Sequence, residues 1–302
     1  MAQGQSPERQ RGASLLRGTI LVLVGATCWG VNGTISQELL HEYAVDPVWF
    51  TCVKQLGSFW LFLVSARFAT PRELSGVVRD GRALLGIFAT AMTTIVLLQV
   101  SYMNAIKWTN SGTATVLQSL NLLFVLAYVC VTSRRVPRRR EVVGVALAFA
   151  GTFLIATGGN PTSLVLPAAG LAWGILTAVG QSLLSIQPVR LIERWGSLVV
   201  NGLAFLFAGL VLAAFVRPWE NLPSLDAMGV LLLVLSILVG TFGAYLFYMQ
   251  GLKEIGSLRT TLLGTAEPLV ATITSVLFLG TAFSATDLAG FALIIAMVFL
   301  TA

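Results

Sequence analysis

Residues 102–115 read YMNAIKWTNSGTAT, and residues 248–261 read YMQGLKEIGSLRTT. The two stretches lie 146 positions apart, and the same register continues without a gap to the end of the chain. Further upstream, CWGVNGT at residues 28–34 is matched by AWGILTA at residues 172–178. The sequence therefore predicts two copies of one structural unit.

The composition indicates that these copies lie in a lipid bilayer. Of the 302 residues, 56% are hydrophobic and 11% are charged, whereas a soluble domain has about 25% charged residues. Most of the ten apolar stretches reach the ~17–25 residues that a spanning helix needs. The alternating pattern of a membrane barrel is absent, and backbone groups in hydrocarbon must bond within their own segment, so helices are predicted. The ten stretches are Leu15–Ile35, Val48–Phe68, Ala83–Ala105, Gly112–Thr132, Val142–Thr157, Leu164–Ile186, Leu198–Val216, Ala227–Met249, Leu258–Leu279 and Leu288–Ala302.

Five spans in each copy is an odd number, so the second copy must cross the membrane upside down relative to the first. We predict an all-α membrane protein with ten transmembrane helices arranged as two inverted five-helix repeats. The predicted parts are a disordered basic cytoplasmic tail at 1–14, a first repeat at 15–158, a connector at 159–163 and a second repeat at 164–302. Inverted repeats are typical of secondary transporters, because each half can adopt the conformation of the other and so produce alternating access.

The distribution of basic residues predicts the orientation. Of the 19 Lys and Arg residues, 16 lie in the N-terminal tail or in alternate loops, including RRVPRRR at residues 134–140. The positive-inside rule therefore predicts a multi-pass protein of the cell (inner) membrane with both termini in the cytoplasm. We interpret the basic run as an anchor beside anionic membrane lipid, not as a nucleic-acid site.

Several other classes of function are disfavoured. The three cysteines lie inside apolar stretches and His41 is the only histidine, so neither a disulfide framework, a metal site nor a cofactor is predicted. No nucleophile–base pair, GxSxG motif or P-loop is present, so the chain is not predicted to be an enzyme. A non-transporting scaffold or receptor stays open, and it would have polar stripes without a connected cavity.

Two charged residues lie well inside predicted spans, away from the span ends, where charge is costly and marks a functional site. Lys54 belongs to the second span and Glu267 to the ninth, and the helical rise places them within ~7 Å of each other in depth. They could meet, or they could hold a zwitterion between them, with its ammonium on Glu267 and its carboxylate on Lys54. The alternative for Lys54 is snorkelling to the outer headgroups, and for Glu267 it is a structural bond to a neighbouring helix.

Other polar residues recur at helical spacing and complete the candidate binding site. They are Trp29, Asn32, Gln118, Asn121, Trp173, Thr177 and Gln181. Candidate kink or hinge residues are Pro268, which has no N–H to offer the carbonyl of Gly264, and Gly240 and Gly243 in the eighth span. A site with so few charges suits a small zwitterion or a neutral polar solute, and a single lysine disfavours multiply charged anions. Glu267 is also a candidate carrier of a coupling proton, although uniport is equally consistent.

The WG of each repeat (Trp29 and Trp173), TAEPL at 265–269 and GFALI at 290–294 make the chain resemble the drug/metabolite transporter superfamily, EamA type, over residues 15–302. The resemblance implies a ten-helix transporter with a central cavity, usually an exporter of amino acids or other small metabolites. Cationic drugs, sugars and nucleotide sugars are alternative solutes on the same fold. The family often has Leu-Gly-Glu after the ninth helix and Arg in the second, where this chain has Thr281 and Lys54.

Overall fold

The computed structural model describes residues 7–162 and 164–301, and these residues form helices joined by short loops, with no strand in those ranges. The ten predicted spans are all present as helices, in the predicted order. They are α1 (Pro7–His41), α2 (Pro47–Ala69), α3 (Gly81–Trp108), α4 (Ser111–Thr132), α5 (Arg139–Thr157), α6 (Ala168–Ile186), α7 (Ser197–Val216), α8 (Ala227–Ile255), α9 (Ser257–Gly264 and Ala266–Leu279) and α10 (Ala285–Thr301). Eight are long and apolar enough to cross a membrane, and two shorter apolar helices occupy the places of the last two spans. The predicted all-α membrane fold is confirmed.

The packing of the helices follows the symmetry of two inverted repeats. The most extensive contacts pair α2 with α7, α5 with α10, α1 with α8 and α3 with α6. In the repeat, α1 is equivalent to α6, α2 to α7, α3 to α8 and α5 to α10. Exchanging equivalent helices converts the α1–α8 pair into the α6–α3 pair, and the pairs α2–α7 and α5–α10 stay the same. Small residues allow the closest approaches, as where Gly151 of α5 faces the backbone of Gly290 in α10. Such close contact is typical of helix pairs that pack in lipid.

Both α4 and α9 are interrupted at the same position of the repeat. α4 consists of Ser111–Gln118 and Asn121–Thr132, and α9 consists of Ser257–Gly264 and Ala266–Leu279. The first pieces end at residues 146 positions apart, which is the register of the sequence repeat. Pro268 follows the break in α9, but the break in α4 contains no proline. The interruption is therefore a property of the repeat.

π-Helical segments also recur at equivalent positions, Ala91–Val96 in α3 and Ser236–Gly243 in α8. Wide π turns are uncommon and occur mostly at functional sites. Gly240 and Gly243 lie within the second segment, and the side chain of Asn32 lies against Gly240, where any Cβ atom would overlap it. Gly240 therefore permits the close crossing of α1 and α8.

The starts of α1 and α6 change the predicted division of the chain into a tail, a connector and two repeats. α1 begins at Pro7, so residues 7–14, predicted to belong to a disordered basic tail, are helical, while residues 1–6 lie outside the described residues. A proline at a helix start is favourable because it needs no hydrogen-bond acceptor there. α6 begins at Ala168 and not at Leu164, because Pro167 disfavours the helical conformation of the residue before it. The connector is accordingly longer than the predicted 159–163, and Ser163 lies outside the described residues.

Candidate functional site

A polar cavity lies between the two repeats. It has two adjoining parts, of about 190 Å³ and 60 Å³, which share the side chains of Trp29, Gln118, Gln181 and Glu267. Residues of α1, α2, α3, α4, α6, α8 and α9 all contribute to its walls. The cavity therefore occupies the position expected for a site that both halves of an inverted-repeat protein can reach.

Most of the predicted candidate residues meet at this cavity. Seven of the nine candidate binding residues line it, namely Trp29, Asn32, Lys54, Gln118, Asn121, Gln181 and Glu267. Of the candidate kink or hinge residues, Gly240, Gly264 and Pro268 also line it, and Gly243 lies just beyond Gly240 at the end of the π segment.

Trp173 and Thr177 lie away from the walls of the cavity. Trp173 packs against an apolar cluster that contains Leu39 and Phe50. Thr177 is fully buried, and its hydroxyl donates to the Trp173 carbonyl at 2.8 Å. At 3.6 residues per turn, positions eight residues apart differ by about 80° around the helix axis. Gln181 therefore faces the cavity while Trp173, on the same nominal stripe, faces the neighbouring helices.

Lys54 is buried and faces the cavity. Only 2% of the residue is exposed, and its Nζ lies 5.1 Å from the centroid of the Phe50 ring, a cation–π contact. The ion pairs formed among the described residues involve arginines at four positions and do not include Lys54. The side chain lines the same part of the cavity as Glu267. This placement differs from the snorkelling alternative, which requires the ammonium group to reach the outer headgroups.

Glu267 takes its position from the break in α9. It lies in the first turn of the piece Ala266–Leu279, where backbone N–H groups without intrahelical partners and the helix dipole favour a negative charge. Gln118, at the equivalent break in α4, lies beside the Glu267 side chain. Asn121 begins the second piece of α4, at the repeat position of Glu267 itself. The two broken helices thus present their polar ends to one space.

Three tyrosines that the sequence analysis did not assign to the site also line the cavity. The Trp29 ring lies 5.1 Å from that of Tyr245, edge to face, and 4.7 Å from that of Tyr248. Tyr102 Oη is 2.9 Å from Thr115 Oγ1 in α4. The sequence did distinguish two of these tyrosines, because Tyr102 and Tyr248 are the first residues of the two repeated stretches. Tyr245 carries no such signal, because Gln99 stands at its repeat position.

One end of the cavity is closed by hydrogen bonds between α1, α4 and α9. Following the predicted orientation, we call this the outer end and the opposite one the inner end. Gln37 Oε1 accepts from the backbone N–H of Ser111 at 2.8 Å, and Gln37 Nε2 donates to Thr281 Oγ1 at 3.0 Å. The hydroxyls of Thr34 and Thr274 lie 2.5 Å apart beside them. The sequence analysis missed Gln37, although the register that aligns Trp29 with Trp173 also aligns Gln37 with Gln181.

The cavity extends toward the inner end. Its larger part is lined by Val125 of α4, Ser185 of α6 and Val298 of α10, which all lie in the halves of their helices nearest that end. The described structure is therefore closed by hydrogen bonds on the outer side of the cavity, and the cavity reaches further toward the inner side.

Two inverted five-helix repeats around a buried polar cavity define a membrane transporter. The chain belongs to the EamA-like transporter family, whose model matches residues 16–157 and 165–302, one match for each repeat. The predicted resemblance is thus confirmed. Membership of a transporter family points to a non-enzymatic protein.

Known relatives agree with this assignment. The chain is 29% identical to an uncharacterized inner membrane transporter, YicL, of Salmonella typhimurium, over 95% of each chain. It is 23% identical to an uncharacterized transporter of Clostridium kluyveri, over 92% of this chain and 91% of the relative. One crystal structure superposes with a TM-score of 0.59 at 17% identity, over 96% of both chains, which shows a shared fold.

Proposed function

We propose that this protein exports a small zwitterionic solute such as an amino acid across the inner membrane, by alternating access of its two repeats. The observation that carries the proposal is the pair of opposite charges on one cavity. Lys54 comes from the first repeat and Glu267 from the second, and both line the smaller part of the cavity without bonding to each other. Buried charges without partners are costly, and a zwitterion supplies a partner for each.

The surroundings of the two charges fit the two ends of such a solute. Glu267 shares its part of the cavity with Trp29 and Tyr248, and a carboxylate beside aromatic faces favours an ammonium group. Lys54 lies with Asn32 and Gln99, so a solute carboxylate there meets one positive charge and two amides that can donate hydrogen bonds.

The hydrogen-bonded outer end and the extension of the cavity toward the inner end support alternating access. An inverted repeat can exchange the conformations of its halves, and that exchange would close the inner end and open the outer one. The outward direction is proposed because the transporters that this chain resembles are usually exporters. Glu267 is proposed to hold a coupling proton while the site is empty, because a proton neutralises its charge in the absence of solute.

A cationic solute is the second candidate, and the aromatic side chains around Glu267 favour it. The Trp29 ring contacts the rings of both Tyr245 and Tyr248, and such aromatic surfaces bind organic cations. The two candidates differ at Lys54, whose charge attracts a zwitterion's carboxylate and repels a cation.

The test is solute counterflow in liposomes with radiolabelled amino acids and a radiolabelled quaternary amine, for the wild-type protein, Glu267→Gln and Lys54→Met. Lys107→Met and Glu42→Gln are matched controls, because Lys107 is exposed in the last turn of α3 and Glu42 is exposed just after α1. Amino-acid counterflow that Glu267→Gln abolishes, that Lys54→Met strongly reduces and that both controls retain supports the zwitterion. Amine counterflow that Lys54→Met preserves or increases supports the cation instead. Absence of counterflow for every solute in folded protein would overturn both.

A further inference from the structure

Gln37 and Gln181 occupy the same position in the two repeats. Each lies eight residues after the tryptophan of its WG pair, Trp29 or Trp173. Because α1 and α6 cross the membrane in opposite directions, equivalent residues lie at opposite ends of the cavity. Gln37 is at the outer end and Gln181 is toward the inner end.

The two glutamines have different surroundings in this structure. Gln37 is 6% exposed and uses both atoms of its amide, one on the N–H of Ser111 and one on Thr281. Gln181 lines both parts of the cavity, and its side-chain amide forms no hydrogen bond within the described ranges. One amide is therefore engaged and its equivalent is free.

The partner of Gln37 has an equivalent as well. Ser111 is the first residue of α4, and Ser257, 146 positions later, is the first residue of α9. The first N–H groups of any helix have no acceptor within that helix and need one from elsewhere. Gln37 supplies the acceptor for α4. By the register of the repeat, the side-chain carbonyl of Gln181 is the candidate for the equivalent acceptor at α9.

We propose that Gln37 and Gln181 are alternating latches of the transport cycle. Gln37 holds α1 to the start of α4 and closes the outer end in the state described here. In the opposite state that bond is broken, and Gln181 accepts the backbone N–H of Ser257, holding α6 to the start of α9 and closing the inner end. This inference rests on the proposed alternating access, and it identifies two residues that would close the cavity in the two states.

A bond that exists in only one of two states shifts the equilibrium toward that state. Removing the Gln37 amide should therefore favour the outward-open state, and removing the Gln181 amide should favour the state described here. A hydrogen bond of ordinary strength predicts a change of about fivefold in the ratio of the two states. The opposite directions separate latching from general damage to the fold.

The experiment measures the accessibility of a reporter thiol from each side of the membrane. In a variant without Cys28, Cys52 and Cys130, one reporter is Thr34→Cys in the outer closure and the other is Ser185→Cys at the inner end. A membrane-impermeant maleimide is applied to oriented vesicles from the outer side for the first reporter and from the inner side for the second.

We expect Gln37→Ala to raise labelling of the outer reporter about fivefold and to lower labelling of the inner one. Gln181→Ala should lower labelling of the outer reporter, and the double variant should return toward the parent. Gln187→Ala is the matched control, because this exposed amide bonds to Thr93 away from the cavity and should change neither rate.

Two kinds of failure are distinguishable. If the parent shows counterflow but both single variants leave labelling unchanged, or shift it in the same direction, the latches are wrong and the transporter proposal stands. If the parent shows neither counterflow nor any change of labelling with solute, alternating access itself is wrong, and the latches with it.

Discussion

Lys54 of the first repeat and Glu267 of the second line one buried cavity, yet they form no ion pair with each other. A stable structural pair would neutralise both charges within the protein. Charges left apart on the walls of a cavity are instead available to a solute.

Lys54→Met should lower the efficiency of amino-acid counterflow by about 10–100-fold, because a charge-assisted hydrogen bond contributes about 1.5–3 kcal/mol. The measurement is the concentration dependence of counterflow in liposomes. Lys253→Met removes a lysine from an exposed position and should leave the efficiency unchanged. An unchanged efficiency in Lys54→Met would mean that no solute carboxylate binds there.

Glu267→Gln should abolish counterflow and leave the thermal stability of the protein equal or higher. The amide keeps the shape of the side chain and, like the protonated carboxyl proposed for the empty site, carries no charge, so its burial does not oppose folding. Counterflow and the melting temperature in detergent are measured on the same preparation. A lower melting temperature together with lost counterflow would indicate a structural role for Glu267.

Gly240→Ala should destabilise the protein by about 1–3 kcal/mol, the usual effect of overpacking a close contact. The new Cβ atom would overlap the side chain of Asn32. Gly81→Ala is the control, because nothing lies within 4 Å of its Cβ position. Adding Asn32→Ala should recover part of the lost stability. If the double variant is no more stable than Gly240→Ala, the overlap with Asn32 is not the cause of the loss.

Pro268→Ala should retain counterflow within about twofold and change stability by less than about 1 kcal/mol. Pro268 lies in the first turn of its helical piece, where a missing N–H costs little. α4 is interrupted at the equivalent position with Leu122 in place of proline. A large loss of counterflow would show instead that the proline itself maintains the break.

The sequence by itself determined the ten spans, the two repeats and their inversion. Hydrophobic length is a property of each segment, and the bilayer imposes it directly. The 146-residue register and the odd number of spans then leave one arrangement of the halves. Lys54 and Glu267 were identified in the same way, because any charge within an apolar span stands out against its neighbours.

Only the tertiary structure decided which polar residues face the cavity. Trp173 and Gln181 are spaced at multiples of four residues, which suggested a single face of α6. Positions eight residues apart differ by about 80° around the helix axis, so Trp173 faces other helices and Gln181 faces the cavity. Gln37 lies near the end of a span, where polar residues are common and do not stand out in the sequence. Its role depends on hydrogen bonds with Ser111 and Thr281, which come from distant segments. The rotation and crossing of each helix are set by contacts such as Asn32 on Gly240. Those contacts join residues far apart in the chain, so no local pattern encodes them.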